Sequence, residues 1–269
     1  MEENVSPREA QDALGGYLDA LDAALPGFAE GVYLTGSAAL GDWIPGRSDL
    51  DVLVVSARPA GEKEIGLLRE VHEGRGRPFV DTVYVGRDQV GLRPYEGFAG
   101  VPVVVDGVLK SDHWELNPVL WATLARHGVT VRGPEAGGLG AEPDPLWLRG
   151  WNLGNLTSYW TPLAADLREK LKEREPDSTV QAEICVWCAS GPGRLHKTIA
   201  TGRIISKSEC VRYTAGLLAG YGPEYADHGE VLARAGTARA GNDAVEFTAA
   251  DLGRLVDLVD AVAEDAARL

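Results

Sequence analysis

TGSAALGDWIPGRSDLDVLVV, residues 35–55, is the stretch of the chain that decides the fold. Within it, the dipeptide Gly36-Ser37 follows a short apolar strand and begins a turn into a short helix. After eleven further residues, Asp49 and Asp51 open a second strand. Because side chains on a strand alternate between its two faces, the two aspartates are predicted to point the same way, with their Cα atoms about 6.5–7 Å apart.

A third acidic residue, Asp81, interrupts the otherwise apolar strand FVDTVYV at residues 79–85. If this strand lies beside the one that Asp49 opens, three carboxylates can converge. Two like charges about 4 Å apart cost about 4 kcal/mol at an effective dielectric constant of 20, so the arrangement requires a compensating cation. Carboxylates and substrate phosphates form the oxygen-rich shell that Mg²⁺ prefers. The pattern therefore favours phosphoryl or nucleotidyl transfer with two metal ions, in which one carboxylate takes a proton from the nucleophile.

Gly36 and Ser37 suit the phosphate side of such a site. Glycine lets the backbone approach closely, and the amides that begin the next helix, together with the serine hydroxyl, can hold a triphosphate. Each piece alone has an ordinary alternative, since an Asp-x-Asp pair at a strand start is usually a solvated cap and a Gly-Ser pair is usually a turn. The ordered set, completed by a strand acid about thirty residues later, favours the functional interpretation.

The chain is predicted to fold as two domains, residues 1–140 and 141–269. In the first, helices and strands alternate, which indicates an α/β domain with a mixed sheet and flanking helices. No convincing strand pattern follows Pro143, and the amphipathic segments beyond it indicate an all-α helical bundle. The Gly/Pro-rich stretch 133–145 marks the boundary between the two.

Length and composition exclude several classes of protein. The 269 residues are 45% hydrophobic and 25% charged, which is typical of a globular chain rather than a disordered one. A net charge of -14 argues against a nucleic-acid surface and suits a cationic partner, although solubility explains it equally well. No apolar run is long enough to span a membrane. Three cysteines, predicted to pack in the interior, and a polar N-terminus indicate a reducing compartment, so a cytoplasmic protein is expected.

The motif that begins at Gly36 resembles the core motif of the nucleotidyltransferase superfamily related to DNA polymerase β. The second half of the chain narrows the resemblance to one family within this superfamily. RLHKTIATGRIISKSEC, residues 194–210, looks like the C-terminal helical domain of the aminoglycoside adenylyltransferases that modify streptomycin and spectinomycin, and VTVRGPEA, residues 129–136, also fits that family. The resemblance covers most of the chain, and its first motif is the more specific one.

The resemblance implies a metal and nucleotide site. Asp49 and Asp51 match the family's metal-binding aspartates, and Asp81 matches a strand carboxylate. In the streptomycin and spectinomycin enzymes that carboxylate is a glutamate, the catalytic base, so the shorter aspartate is a departure. Two Mg²⁺ ions and ATP as co-substrate are implied. Ser37 and Ser48 match residues near the phosphates.

Lys207 matches a helical-domain lysine that reaches the nucleotide phosphates across the cleft. Its ordinary alternative is a solvated lysine in a capping turn. The family holds its cationic acceptor with helical-domain acids and an aromatic wall. Glu183 lies close to one such acid, while Trp114 and Trp187 are candidates for the wall. Glu183 could equally be an exposed helix acid, and both tryptophans could be core residues.

The resulting hypothesis is a monomeric enzyme that transfers AMP from ATP to a hydroxyl of an aminoglycoside or aminocyclitol and so gives antibiotic resistance. Two alternatives stay open on the sequence alone. One keeps the chemistry but changes the acceptor to another natural product or a protein side chain. The other is a nucleotide-binding protein that has kept the fold without turnover.

Overall fold

The computed structural model describes residues 7–94, 100–113 and 116–269. The chain folds as two compact units that meet in sequence between Asp144 and Pro145. Within the described residues, no helix is both long and apolar enough to cross a membrane. Each unit has its own hydrophobic core.

The first unit is built on a mixed six-stranded sheet of order β5-β4-β3-β2-β1-β6. Its strands are β1 (Gly31–Leu34), β2 (Leu50–Ser56), β3 (Val80–Gly86), β4 (Val101–Val105), β5 (Val108–His113) and β6 (Val129–Arg132). Its helices are α1 (Pro7–Ala13), α2 (Gly15–Ala24), α3 (Gly36–Ala39), α4 (Glu62–His72) and α5 (Pro118–His127). Strands β2 and β3 run parallel, and all other neighbouring strands of this sheet run antiparallel.

Strand β2 lies at the middle of this sheet and is apolar almost throughout. Leu50 and the run Val52–Val55 are buried, as a strand covered on both faces requires. Asp51 is the one exposed position of the strand. A charged residue within a buried strand is costly unless it faces an opening, so this position identifies the polar end of the sheet.

Strand β5 is the main element of this unit that the sequence pattern did not predict, and it forms a hairpin with β4. Its two-residue turn is Asp106-Gly107, and both residues have positive φ, 51° and 75°. Val105 and Val108 pair across it. Two positive φ angles in a two-residue loop are the geometry of a type I′ turn, for which Asp-Gly is a preferred sequence. The Asp-Gly dipeptide directly after the valine-rich run at residues 101–105 was therefore a local indication of this turn.

The second unit is a helical bundle, as expected. Its helices are α6 (Pro145–Asn155), α7 (Thr161–Leu171), α8 (Ala182–Ser190), α9 (Pro192–Thr201), α10 (Lys207–Tyr221), α11 (His228–Arg239) and α12 (Ala249–Arg268). Helix α12 buries one complete face in the core of this unit. The capping box at its start, between Thr248 and Asp251, sets where the helix begins.

The prediction that no strand follows Pro143 is wrong in one detail. Two short strands, β7 (Thr179–Val180) and β8 (Phe247–Thr248), pair antiparallel. The amide of Ala249 continues this contact by donating to the Ser178 carbonyl at 2.8 Å. Strands of two residues carry no readable alternation, and their partner lies almost seventy residues away, so only the fold can define them.

One turn of π-helix, Leu156–Trp160, joins α6 to α7. It ends at Trp160, which is 2% exposed and belongs to the core of the unit. The edge of the Trp160 ring lies against Gly191, at a point where a Cβ atom would overlap the indole. Glycine is therefore required at position 191 by close packing rather than by backbone conformation.

The substitution Gly191→Ala is expected to destabilise the second unit, because the new methyl group must displace a buried indole that has no room to move. We expect a loss of about 1–3 kcal/mol in the free energy of unfolding, measured by urea denaturation. Gly154→Ala is the matched control. That glycine is exposed on α6 with open space around it, so alanine should stabilise by about 0.5–1 kcal/mol. Equal effects at the two positions would contradict the packing argument.

Candidate active site

The parallel pairing of β2 with β3 brings two of the predicted acids together. Asp51 and Asp81 are partners in the ladder, so they are neighbours on adjacent strands. Asp49 lies just before β2, where Leu50 begins the pairing with Val80. The three aspartates predicted from the sequence thus gather at the start of these two strands.

The carboxylate cluster has a member that the sequence reasoning missed. Asp49, Asp81 and Asp106 each offer an oxygen atom, and these atoms lie within 4.8 Å of one another. Among the described residues this is the one such group of three or more possible ligands. Asp106 reaches it from the β4–β5 turn because β4 pairs with β3. Asp51 is adjacent to the cluster but is not one of these three.

Asp49 is held in place by contacts to the segment that leads into β3. Its Oδ1 atom accepts a hydrogen bond from the Phe79 amide at 2.9 Å. Arg77 approaches both carboxylate oxygens at 3.3–3.4 Å and forms an ion pair with the side chain. These contacts orient Asp49 toward β3, so its position depends on the parallel pairing rather than on strand alternation.

Asp81 is the most perturbed acid of the site. Burial, and after it the charges of Asp51, Asp49 and Asp106, raise its pKa to about 6. A backbone hydrogen bond from Asp106 opposes these effects. The Oδ1 atom of Asp81 is buried and has no hydrogen-bond partner. A half-buried carboxylate with an unsatisfied oxygen, close to other carboxylates, is the donor set that a divalent cation fits.

Gly36 is required by the way the chain passes over Asp51. It has φ of 50° and begins α3, and a Cβ atom at this position would overlap the Asp51 carboxylate. The preceding residue, Thr35, donates its amide to the Asp51 carbonyl at 2.8 Å. Only glycine allows the Gly-Ser turn and the Asp51 side chain to lie in direct contact.

The two predicted serines occupy different positions. Ser37 lies in the first turn of α3, directly after Gly36 and therefore beside Asp51. Ser48 ends the loop before β2, and its Oγ atom accepts a hydrogen bond from the Ile44 amide at 3.1 Å. Ser48 thus contributes to the shape of the loop that leads into Asp49.

In the second unit, Lys207 is the first residue of α10, directly after the N-cap Ser206 and within the capping box that Ser206 forms with Glu209. Its ammonium group lies over the ring of Trp187, 5.4 Å from the centroid. Glu183 lies in the first turn of α8 and is exposed. Trp114, the third residue predicted to bind the acceptor, lies outside the described residues.

Three other polar or reactive groups of the second unit have structural surroundings. His196 is buried and contacts the Tyr213 hydroxyl at 2.7 Å and the Asp265 carboxylate at 3.0 Å. Burial raises the pKa of both Cys185 and Cys188 to about 12, so neither is a thiolate at neutral pH. Both cysteines pack in the interior of the unit.

Comparison with known proteins agrees with this geometry. Residues 17–88, which contain Gly36 and all three predicted aspartates, match the family model of the nucleotidyltransferase domain. No curated protein matches the chain. Among solved structures, the fold is similar to that of the spectinomycin adenyltransferase AAD(9) from Enterococcus faecialis, described with ATP and spectinomycin. The TM-score is 0.64 at 16% identity, over 93% of this chain and 98% of that one.

The domain match and the acidic site identify residues 17–88 as part of a nucleotidyltransferase domain, and the expectation of an enzyme of this kind is confirmed. The similarity to AAD(9) extends over both units, including the helical one. The predicted resemblance to the aminoglycoside adenylyltransferases is therefore confirmed at the level of the fold, together with the predicted fold class.

The raised pKa of Asp81 gives a testable dependence of stability on pH. Between about pH 4 and pH 6 the folded chain keeps a proton that the unfolded chain has lost, so the free energy of unfolding falls as pH rises. In EDTA at pH 7.5, Asp81→Asn is expected to increase this free energy by about 1–2 kcal/mol, a value reduced for the partial exposure of the group. Near pH 4 the variant and the native chain should have the same free energy of unfolding.

Urea denaturation at both pH values measures this effect. Asp19→Asn, at an exposed position of α2, is the matched control and should leave stability unchanged at either pH. A variant at position 81 that is no more stable than the native chain at pH 7.5 would contradict the electrostatic account of the site.

Proposed function

We propose that the chain transfers AMP from ATP to a hydroxyl group of an aminoglycoside or aminocyclitol, with Mg²⁺ as cofactor. The observation that carries the proposal is the meeting of the Asp49, Asp81 and Asp106 carboxylates beside the Gly36-Ser37 turn of a nucleotidyltransferase domain. The matched structure, described with ATP and spectinomycin, supports both partners.

Asp49, Asp81 and Asp106 would hold the metal, with Asp51 as the adjacent fourth carboxylate. Bound Mg²⁺ supplies positive charge that favours the triphosphate and the charge developing on it during transfer. The sequence-based proposal of two ions is consistent with four carboxylates, since two ions share their ligands between them. The unsatisfied Oδ1 atom of Asp81 is the oxygen with the greatest need of such a partner.

Other groups of the chain are proposed to bind the phosphates and to accept the proton. Gly36 lets the backbone approach the phosphates, and Ser37, one residue later, offers its hydroxyl and amide to their oxygens. Asp81 is proposed to accept the proton of the acceptor hydroxyl. A carboxylate can act as the general base of such a step.

Lys207 is proposed to bind the phosphates of the nucleotide. Its position at the first residue of a fifteen-residue helix supports this role. Backbone amides at a helix start and a lysine ammonium both bind phosphate oxygens, and the helix dipole favours an anion there.

The acceptor is proposed to be a cation, with Glu183 as one of the acids that bind its ammonium groups. The exposure of Glu183 and the net charge of -14 support such a partner. Antibiotic resistance is the proposed consequence of modifying it. We further propose that the protein is cytoplasmic and monomeric and does not bind nucleic acid.

The function is tested by incubating the chain with ATP and Mg²⁺ and either streptomycin or spectinomycin. We expect a product heavier by one adenylyl group, detected by mass spectrometry, and release of pyrophosphate. Asp51→Asn should abolish transfer while the fold, followed by circular dichroism, is kept, since asparagine has nearly the same shape but lacks the charge. Pyrophosphate release with other small molecules, but not with aminoglycosides, would show that the chain transfers a nucleotide to a different acceptor. Tight ATP binding without transfer to any acceptor would favour the non-catalytic alternative.

Asp106 gives a sharper test of the metal site, because no sequence motif includes it. Asp106→Asn keeps a residue type that tolerates positive φ, so the β4–β5 turn should persist. We expect binding of Mn²⁺, measured by calorimetry in the absence of nucleotide, to weaken about 10-fold or more. Asp112→Asn, at an exposed position of the same hairpin, is the matched control. Unchanged Mn²⁺ affinity in the Asp106 variant would remove this residue from the ligand set.

A further inference from the structure

Trp187 takes part in an aromatic assembly rather than standing alone on its helix. Its ring stacks on that of Trp160, with centroids 5.4 Å apart and planes inclined by 29°. Its Nε1 atom donates a hydrogen bond to the hydroxyl of Tyr159 at 3.1 Å. The Tyr159 ring in turn meets Trp160 edge to face, at 5.2 Å and 87°. One face and the one polar atom of the Trp187 side chain therefore have defined partners.

This assembly is anchored in the hydrophobic core. Trp160 is 2% exposed, and its position depends on the absence of a side chain at Gly191. Tyr159 and Trp160 both lie in the single turn of π-helix, a feature that is frequent at functional sites. An indole held in this way has few alternative orientations, so the plane of the Trp187 ring is set before any ligand binds.

The ring of Trp187 carries the ammonium group of Lys207. The separation of 5.4 Å from Nζ to the ring centroid lies within the range of a cation–π interaction, and tryptophan is the best aromatic partner for such a contact. Lys207 begins α10, where the helix dipole disfavours a cation, so attraction to the indole face offsets part of this cost. A lysine side chain has several rotatable bonds, so contact with a fixed ring narrows the positions of its ammonium group.

We propose that Trp187 is a positioning residue for the nucleotide: its indole face holds the Lys207 ammonium in the orientation that meets the phosphates. This inference rests on the proposed function, in which Lys207 binds ATP, and it reassigns Trp187 from the acceptor wall to the nucleotide side. The chemistry that Trp187 recognises is a cation of its own chain, not a cation of the acceptor.

The test measures ATP affinity by calorimetry, with Mg²⁺ and without acceptor, in the full chain. Trp187→Leu should weaken ATP binding by about 2- to 5-fold, the change that corresponds to a cation–π contact at a partly exposed position. Trp187→Phe keeps an aromatic face and should stay within about 2-fold of the native chain. In a Lys207→Met background, Trp187→Leu should have no further effect, because the group that it positions has gone.

Steady-state kinetics separate this role from acceptor binding. Trp187→Leu should raise the KM for ATP and leave the KM for the acceptor unchanged. Lys197→Met is the matched control, since Lys197 lies over the Tyr213 ring at 4.7 Å in the same unit and should not affect ATP affinity. Circular dichroism checks that each variant keeps the helical content of the native chain.

The outcomes distinguish a failure of this inference from a failure of the proposed function on which it rests. If Lys207→Met leaves ATP affinity unchanged, the nucleotide role of Lys207 in the proposed function fails. If Lys207→Met weakens ATP binding but Trp187→Leu has the same effect in both backgrounds, the two residues act independently and the positioning role alone is overturned. A change confined to the KM for the acceptor would return Trp187 to the acceptor wall.

Discussion

The parallel pairing of β2 with β3 is the constraint on which the site depends. It places Asp51 beside Asp81 and lets the Phe79 amide, just before β3, hold the carboxylate of Asp49. Carboxylates that lie so close repel one another, and burial together with this repulsion raises the pKa of Asp81. A protein keeps such an arrangement where a cation relieves it. The folded sheet therefore holds a group of like charges that a divalent cation would stabilise.

Glycine has two different tasks in this chain. At Gly36 it allows a positive φ and direct contact between the Gly-Ser turn and the Asp51 carboxylate. At Gly191 the backbone is ordinary, and the missing side chain makes room for the buried ring of Trp160. In the first unit glycine shapes the site directly, whereas in the second it supports an aromatic stack on which Trp187 and, through it, Lys207 depend.

The two units contribute charge in different ways. The first unit presents carboxylates whose mutual repulsion makes them ligands for a cation. The second unit offers a lysine at a helix start, over an indole face that limits its freedom. Carboxylates with bound metal and a fixed ammonium are complementary means of binding the same kind of ligand, a polyphosphate. This division of charge is the physical basis of the function proposed for the chain.

The sequence by itself determined the class of fold, the acids at Asp49, Asp51 and Asp81, and the helical nature of the second unit, because alternation, caps and motif order are local properties of the chain. Only the tertiary structure decided that Asp106 joins the cluster and that Trp187 lies beneath Lys207. Asp106 is about 25 residues from Asp81 in sequence, and its approach follows from strand pairing and a type I′ turn. The Trp187 contact joins two helices, α8 and α10, whose relative placement comes from packing of the core, and no local pattern encodes it.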